Sequence, residues 1–150
     1  MSNIANITVY DGAATPVAHT LVAESVTRQG QRITAKWSEK LAGVPEYAQV
    51  RVMASLEKMP SGTYKAYERV EIPVMESISG QNAAGYTAAP KVAYVDRTDI
   101  IGYYSERSIV AGRRSSRQLA INLAGNVSTS VTPATAGPIP ELFDLLVAPT

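Results

Sequence analysis

Two consecutive segments, residues 47–58 and 63–74, alternate apolar and polar side chains with a period of two. That is the strand repeat, and Met59-Pro60-Ser61-Gly62 between them is turn chemistry. The pair predicts an antiparallel hairpin. In the first segment Val50, Val52, Ala54 and Leu56 fall on one face, with Gln49, Arg51, Met53, Ser55 and Glu57 on the other. In the second, Ala66, Val70 and Ile72 share a face with Tyr64 and Glu68, while Lys65, Tyr67, Arg69 and Glu71 point the opposite way. A sheet with one apolar face needs cover on that side only, and its other face stays wet. Here the wet face carries bases and an aromatic ring, the side chains that neutralise phosphates and stack on nucleobases.

The flanking sequence extends this sheet. Residues 4–10 and 17–23 read as two strands around Asp11-Gly12, a strong turn dipeptide. Residues 32–38 read as a third strand, with Ile33, Ala35 and Trp37 inward and Arg32, Thr34 and Lys36 outward. Residues 76–90 are rich in small side chains and lack periodicity, which predicts a long exposed loop of the functional kind. Strand character returns over residues 91–104, with Asp96-Arg97-Thr98-Asp99 as an apparent interruption.

The period then changes. From Ile109 to Ala124, residues Ile109, Gly112, Ser116, Leu119, Ala120 and Leu123 follow helical spacing, and Gly125-Asn126 reads as the stop. A Ser/Thr/Pro linker follows over residues 127–137. A short second helix is predicted over residues 139–147, with Pro140 near its start. Strands followed by helices give an α+β chain. One slim helix and one short one are too little to cover the apolar face of such a sheet. A partner chain that lends its helices and receives the same in return solves this symmetrically, so an obligate dimer is expected.

Composition bounds the rest. With 150 residues, one domain spanning 1–150 is expected, long enough to bury roughly 68–70% of its unfolded surface. The net charge of +1 argues against a generally basic coat but allows a local basic face. There is no cysteine, hence no disulfide framework and no thiolate chemistry. No apolar run approaches a membrane span, and residues 1–6 lack the pattern of a secretory signal.

Taken in order and spacing, the hairpin around Asp11-Gly12, the AKW of residues 35–37, the YKAYERVEIPV of residues 64–74, the small-residue loop ending at Pro90 and the PELFDLLVAPT of residues 140–150 resemble the coat proteins of single-stranded RNA bacteriophages, the leviviruses. The resemblance covers nearly the whole chain. It implies an N-terminal β-hairpin plus a five-stranded antiparallel sheet followed by two C-terminal helices, interlocked as a dimer with a ten-stranded sheet. It further implies an icosahedral shell in a virion assembled in the host bacterial cytoplasm, with the wet face inward. The family's RNA stem-loop, whose binding represses translation and marks the genome for packaging, would contact Thr34, Gln49, Arg51, Met53, Ser55, Lys65, Tyr67 and Arg69. A family tyrosine that stacks on a loop base falls at Arg97 by counting from Pro90, leaving Tyr94 or Tyr103 as substitutes.

Competing readings are available for several residues. Arg107, Arg113, Arg114 and Arg117 form the densest basic cluster, but three of them lie well round the helix from Leu119 and Leu123, as a solvated flank does. His19 is the only histidine, and nothing around it resembles a nucleophile motif, which leaves a hydrolase reading weak. No metal-ligand cluster, phosphate loop or dinucleotide fingerprint is present, so no cofactor is expected. A non-assembling dimeric β-sheet RNA- or DNA-binding regulator is the alternative to a shell protein.

Overall fold

The computed structural model describes residues 3–76 and 89–150. Six antiparallel strands form one sheet in chain order: β1 (Ile7–Tyr10), β2 (Ala18–Gln29), β3 (Arg32–Glu39), β4 (Arg51–Lys58), β5 (Thr63–Met75) and β6 (Val92–Ser105). Two helices follow, α1 (Val110–Ala124) and α2 (Pro138–Asp144). β2 is longer than its alternation suggested and serves twice. Its first half pairs with β1, closing the N-terminal hairpin with Ile7 opposite Leu21. From Leu21 onward it also pairs along β3, through an irregularity between Ala23 and Ser25, as the first strand of a five-stranded sheet.

Turn chemistry explains the connections. The Asp11 carboxylate accepts the backbone N–H of Ala13 and Val17, at 3.2 and 2.9 Å, so aspartate builds this turn. Between β4 and β5, Gly62 sits at φ +78°, where a side chain would be strained, and its N–H reaches the Met59 carbonyl at 3.0 Å. β6 runs unbroken through Asp96–Asp99, in register with β5 from Ser105 to Tyr94. Residues 77–88 of the expected long loop, with Gly80 and Gly85, lie outside the described residues. Its two ends are tied: Glu76 N–H donates to the Lys91 carbonyl, and the Tyr47 hydroxyl to the Pro90 carbonyl, each at 2.8 Å.

The strand expected to begin at Tyr47 begins at Arg51, because Glu46–Ala48 is a 3₁₀ turn. Gln49 locks this connection: its side chain donates to the Leu41 and Val44 carbonyls and accepts from the Leu41 N–H.

The alternation of β3–β5 sorts the sheet into two faces as expected. Cross-strand rows on the apolar face run Trp37–Val52–Val70, Ala35–Ala54–Glu68–Ile100 and Ile33–Leu56–Ala66–Gly102. The small residues Ala35, Ala54 and Ala66 are fully buried and leave room for α2, whose Leu142 and Phe143 are buried in the same core. Burying each of those two contributes about 1.5–3 kcal/mol. Phe143 meets Tyr104 edge to face, with ring centroids 6.5 Å apart. The Trp37 indole N–H donates to the Ala5 carbonyl at 2.8 Å, pinning the N-terminal segment over the core.

Helix α1 ends in a Schellman motif. Asn126 takes the left-handed conformation at φ 49°, and the N–H groups of Asn126 and Val127 return to the carbonyls of Leu123 and Asn122. Its packing partner within the chain is α2 rather than the sheet. Here the expectation of a solvated arginine flank is overturned. Arg113 and Arg117 are buried, and together with Arg114 they converge on Asp144. The apolar stripe instead faces outward, with Leu119 62% and Leu123 73% exposed.

Candidate nucleic-acid interface

The wet face of β3–β6 is built from four cross-strand rows. They are Ser38–Arg51–Glu71–Arg97, Lys36–Met53–Arg69–Asp99, Thr34–Ser55–Tyr67–Ile101 and Arg32–Glu57–Lys65–Tyr103. Six bases stand there against Glu57, Glu71 and Asp99. The face is therefore positive on a chain whose net charge is only +1. A depression of about 280 Å³ opens among Lys36, Arg51, Met53, Arg69, Glu71 and the bulge residue Glu24.

At the centre of the face the side chains are interlocked. The Tyr67 hydroxyl donates to Asp99 Oδ1 at 2.7 Å and accepts from Arg69 Nε at 2.5 Å. Arg69 Nε also reaches Asp99 Oδ1 at 3.2 Å. Arg97 grips the other oxygen, with Nε and Nη2 at 2.9 and 2.5 Å from Asp99 Oδ2. These bonds, Arg97's first and then those of Tyr67 and Arg69, hold the Asp99 carboxyl well below the usual carboxylate range despite its partial desolvation. Glu71 is shared between Arg51 and Arg69, at 3.3 and 3.5 Å.

Against this geometry the expected contact residues separate. Thr34, Arg51, Met53, Lys65 and Arg69 lie on the wet face with part of each side chain open to solvent. Ser55 lies on that face but is buried among its neighbours. Gln49 does not reach the face: it is 4% exposed and consumed by the 41–49 connection. Tyr67 is brought to the centre, yet its ring is 6% exposed, with the Lys65 ammonium and Arg69 guanidinium 5.8 and 5.4 Å from its centroid. Buried to that degree and flanked by both cations, the ring offers little surface on which a base could stack.

Tyr103 supplies what Tyr67 cannot. It is 59% exposed on the wet face, one row from Tyr67, with the Lys65 ammonium 6.0 Å from its ring. Tyr94 has the opposite parity on β6 and points to the apolar side. Sequence reasoning missed Asp99. Its only signal was a carboxylate placed two residues after Arg97, on the same side of an unbroken strand.

The apolar face offers a second concavity, of about 720 Å³, among Val9, Val50, Val70, Ile72, Ile100 and Ile121. Glu68 lines it too, and burial pushes its carboxyl upward. At its rim His19 faces Glu39 through Nδ1 at 3.0 Å and Asp11 through Nε2 at 3.5 Å. Both ring nitrogens are thus engaged by carboxylates, fastening the hairpin turn to the end of β3. A general base needs one of them turned to a nucleophile.

A family model described as "Levivirus coat protein" matches residues 2–137. Among solved structures, the virus-like particle of bacteriophage EMS014 has a chain 26% identical, with a TM-score of 0.70 over 98% of this chain and 99% of that one. The virus-like particle of bacteriophage ESE058 gives 19% identity and a TM-score of 0.70 over 97% and 98%. The capsid protein of bacteriophage GA gives 17% and 0.53 over 95% and 94%. The last two are likenesses of fold alone. No curated protein sequence matches the chain.

Proposed function

Because the chain belongs to the levivirus coat protein family, and is thus a structural component of a phage virion, we propose that it forms an interlocked dimer with a continuous ten-stranded sheet. Those dimers close into an icosahedral shell whose inward polar face binds a genomic RNA stem-loop. Translational repression and packaging follow from that one contact. The virus-like particle of the 26%-identical chain supports the closed shell.

The observation that carries the reading is an apolar surface left unpartnered among the described residues. α1 turns Leu119 and Leu123 away from its own chain, while the β4–β6 face keeps a cavity of about 720 Å³, edged by Ile121, that α2 leaves open. Two copies related by a two-fold axis satisfy both surfaces at once. On the opposite face, Arg51 and Lys65 meet phosphates, Thr34 and Met53 border the bases, and Tyr103 is the stacking platform.

The test uses Leu119→Asp and Leu123→Asp. In an isolated chain these positions are solvent, so either change would move stability by within about 0.5 kcal/mol. In the dimer each places an unpaired charge in a dry seam, at a cost of several kcal/mol. Sedimentation and electron microscopy should show loss of dimers and particles. A wild-type-like melting curve with intact particles would refute the seam. Wild-type dimers that never form particles would favour the non-assembling regulator.

A further inference from the structure

The four side chains at the centre of the polar face compose a recognisable recognition geometry. Two guanidiniums and a phenol hydroxyl converge on a pair of oxygens: Arg97 on Oδ2 at 2.5 and 2.9 Å, Arg69 and Tyr67 on Oδ1 at 3.2 and 2.7 Å. Planar forks closing on two anionic oxygens bind the non-bridging oxygens of a phosphodiester as readily as a carboxylate. We propose that Tyr67, Arg69 and Arg97 form a phosphate site that Asp99 occupies in cis, so that this carboxylate limits the affinity of the face for any RNA backbone.

The site is accessible. The side chains of Arg69, Arg97 and Asp99 are 26, 47 and 27% exposed, so a polyanion reaches them without opening the core. Nor does the sheet depend on the pairing. β5 and β6 are held by a continuous backbone ladder in which Arg69 stands directly opposite Asp99, and exposed ion pairs add little to such a ladder. Asp99 therefore acts on the ligand more than on the fold. While it holds both guanidiniums, a phosphate gains little by approaching them, and fewer counterions are released on binding. Discrimination then falls to Tyr103 and to the shape of the RNA, as a protein that selects one hairpin among many requires.

This inference rests on the RNA reading of the face, and the experiment separates the two. Binding of fluorescein-labelled oligouridylate to unassembled protein is followed by anisotropy between about 50 and 200 mM salt. Asp99→Asn removes the charge, Asp99→Ser does so with a smaller side chain, and Asp99→Glu keeps it. Circular dichroism melting confirms which variants are folded. Both charge-removing variants should bind several-fold more tightly at low salt. Their salt slope should steepen by about 0.7 per released guanidinium, up to about 1.4, while Asp99→Glu keeps the wild-type slope. Adding Arg69→Ala to Asp99→Asn should return about half of that steepening. Folded Asp99→Asn or Asp99→Ser that binds no better than wild type would overturn the proposal, since Asp99 would then be orienting the arginines. Absence of binding by wild type and charge-removed variants alike would overturn the RNA reading itself.

Discussion

Asp144 is the most consequential single carboxylate in the chain, and its removal has a calculable cost. It is fully buried at the end of α2. Its two oxygens take Arg117 Nε and Nη2 at 2.9 and 3.0 Å and Arg114 Nε at 2.9 Å, and its backbone carbonyl takes Arg113 Nε at 2.7 Å. Burial alone would raise its pKa, but the hydrogen bonds and charges of Arg117 and Arg114 prevail and lower it. Asp144→Ala leaves the Arg117 guanidinium buried, hydrogen-bonded to the Ala134 carbonyl at 2.8 Å but to no carboxylate. Stranding one member of a buried pair costs about 3–5 kcal/mol, a large part of the ~5–15 kcal/mol that holds a typical domain. Trp37, the only tryptophan, lies in the core that α2 seals and reports the transition by fluorescence. With a urea slope near 2 kcal/mol/M, the midpoint should fall by roughly 2 M at matched protein concentration. The deficit also has a pH signature. A carboxyl whose folded pKa is depressed contributes fully above its unfolded value of ~3.9 and loses that contribution as pH falls through the folded one. The gap between wild type and Asp144→Ala should therefore be constant near neutrality and close only below about pH 4. Replacing the pair together, as Asp144→Leu with Arg117→Leu, should cost less than Asp144→Ala alone. A midpoint shift under about 0.5 M, or a double variant worse than the single, would refute the account.

Three further outcomes follow from individual side chains. At Gly102 an added methyl would sit 2.6 Å from the Tyr104 ring, so Gly102→Ala should cost about 1–3 kcal/mol in denaturant unfolding. Gln49→Ala strands the Leu41 and Val44 carbonyls and the Leu41 N–H, and should lower stability by about 1–3 kcal/mol while exposing the 41–49 connection to limited proteolysis. Tyr103→Ala should reduce RNA affinity by about 1–3 kcal/mol with an unchanged salt slope, whereas Arg51→Ala should flatten the slope by about 0.7–0.9; the reverse pattern in anisotropy titrations would move the stacking site elsewhere.

Alternation made β3, β4 and β5 legible, because a half-buried sheet writes its facing into every second residue. It failed at Glu24–Gln29, where β2 runs as a polar continuation with little apolar signal. Facing on α1 was misread for a physical reason. Its arginine flank was taken as solvated, but within the chain α1 buries Arg113 and Arg117, one turn apart. Their partner Asp144 lies 27–31 residues further on, a separation no local period encodes. Tyr67 and Gln49 show a second limit of local pattern. Each has the residue type and position of a contact residue, and each is consumed by neighbours, Tyr67 by Asp99 and Arg69 and Gln49 by Leu41 and Val44.

Every strand of the sheet pairs with its neighbours in the chain, and this has a kinetic consequence. Pairings of that kind close modest loops at little entropic cost, so each hairpin can form as soon as its second strand exists. During synthesis β1 through β5 can zip in order before α2 has left the ribosome. Until Leu142 and Phe143 arrive, the apolar side of that sheet faces water. Within the single chain, the docking of a seven-residue helix therefore follows sheet formation, guided to its place by arginines already presented on α1. Weakening that step should leave the rate of sheet formation nearly unchanged and appear chiefly as faster unfolding.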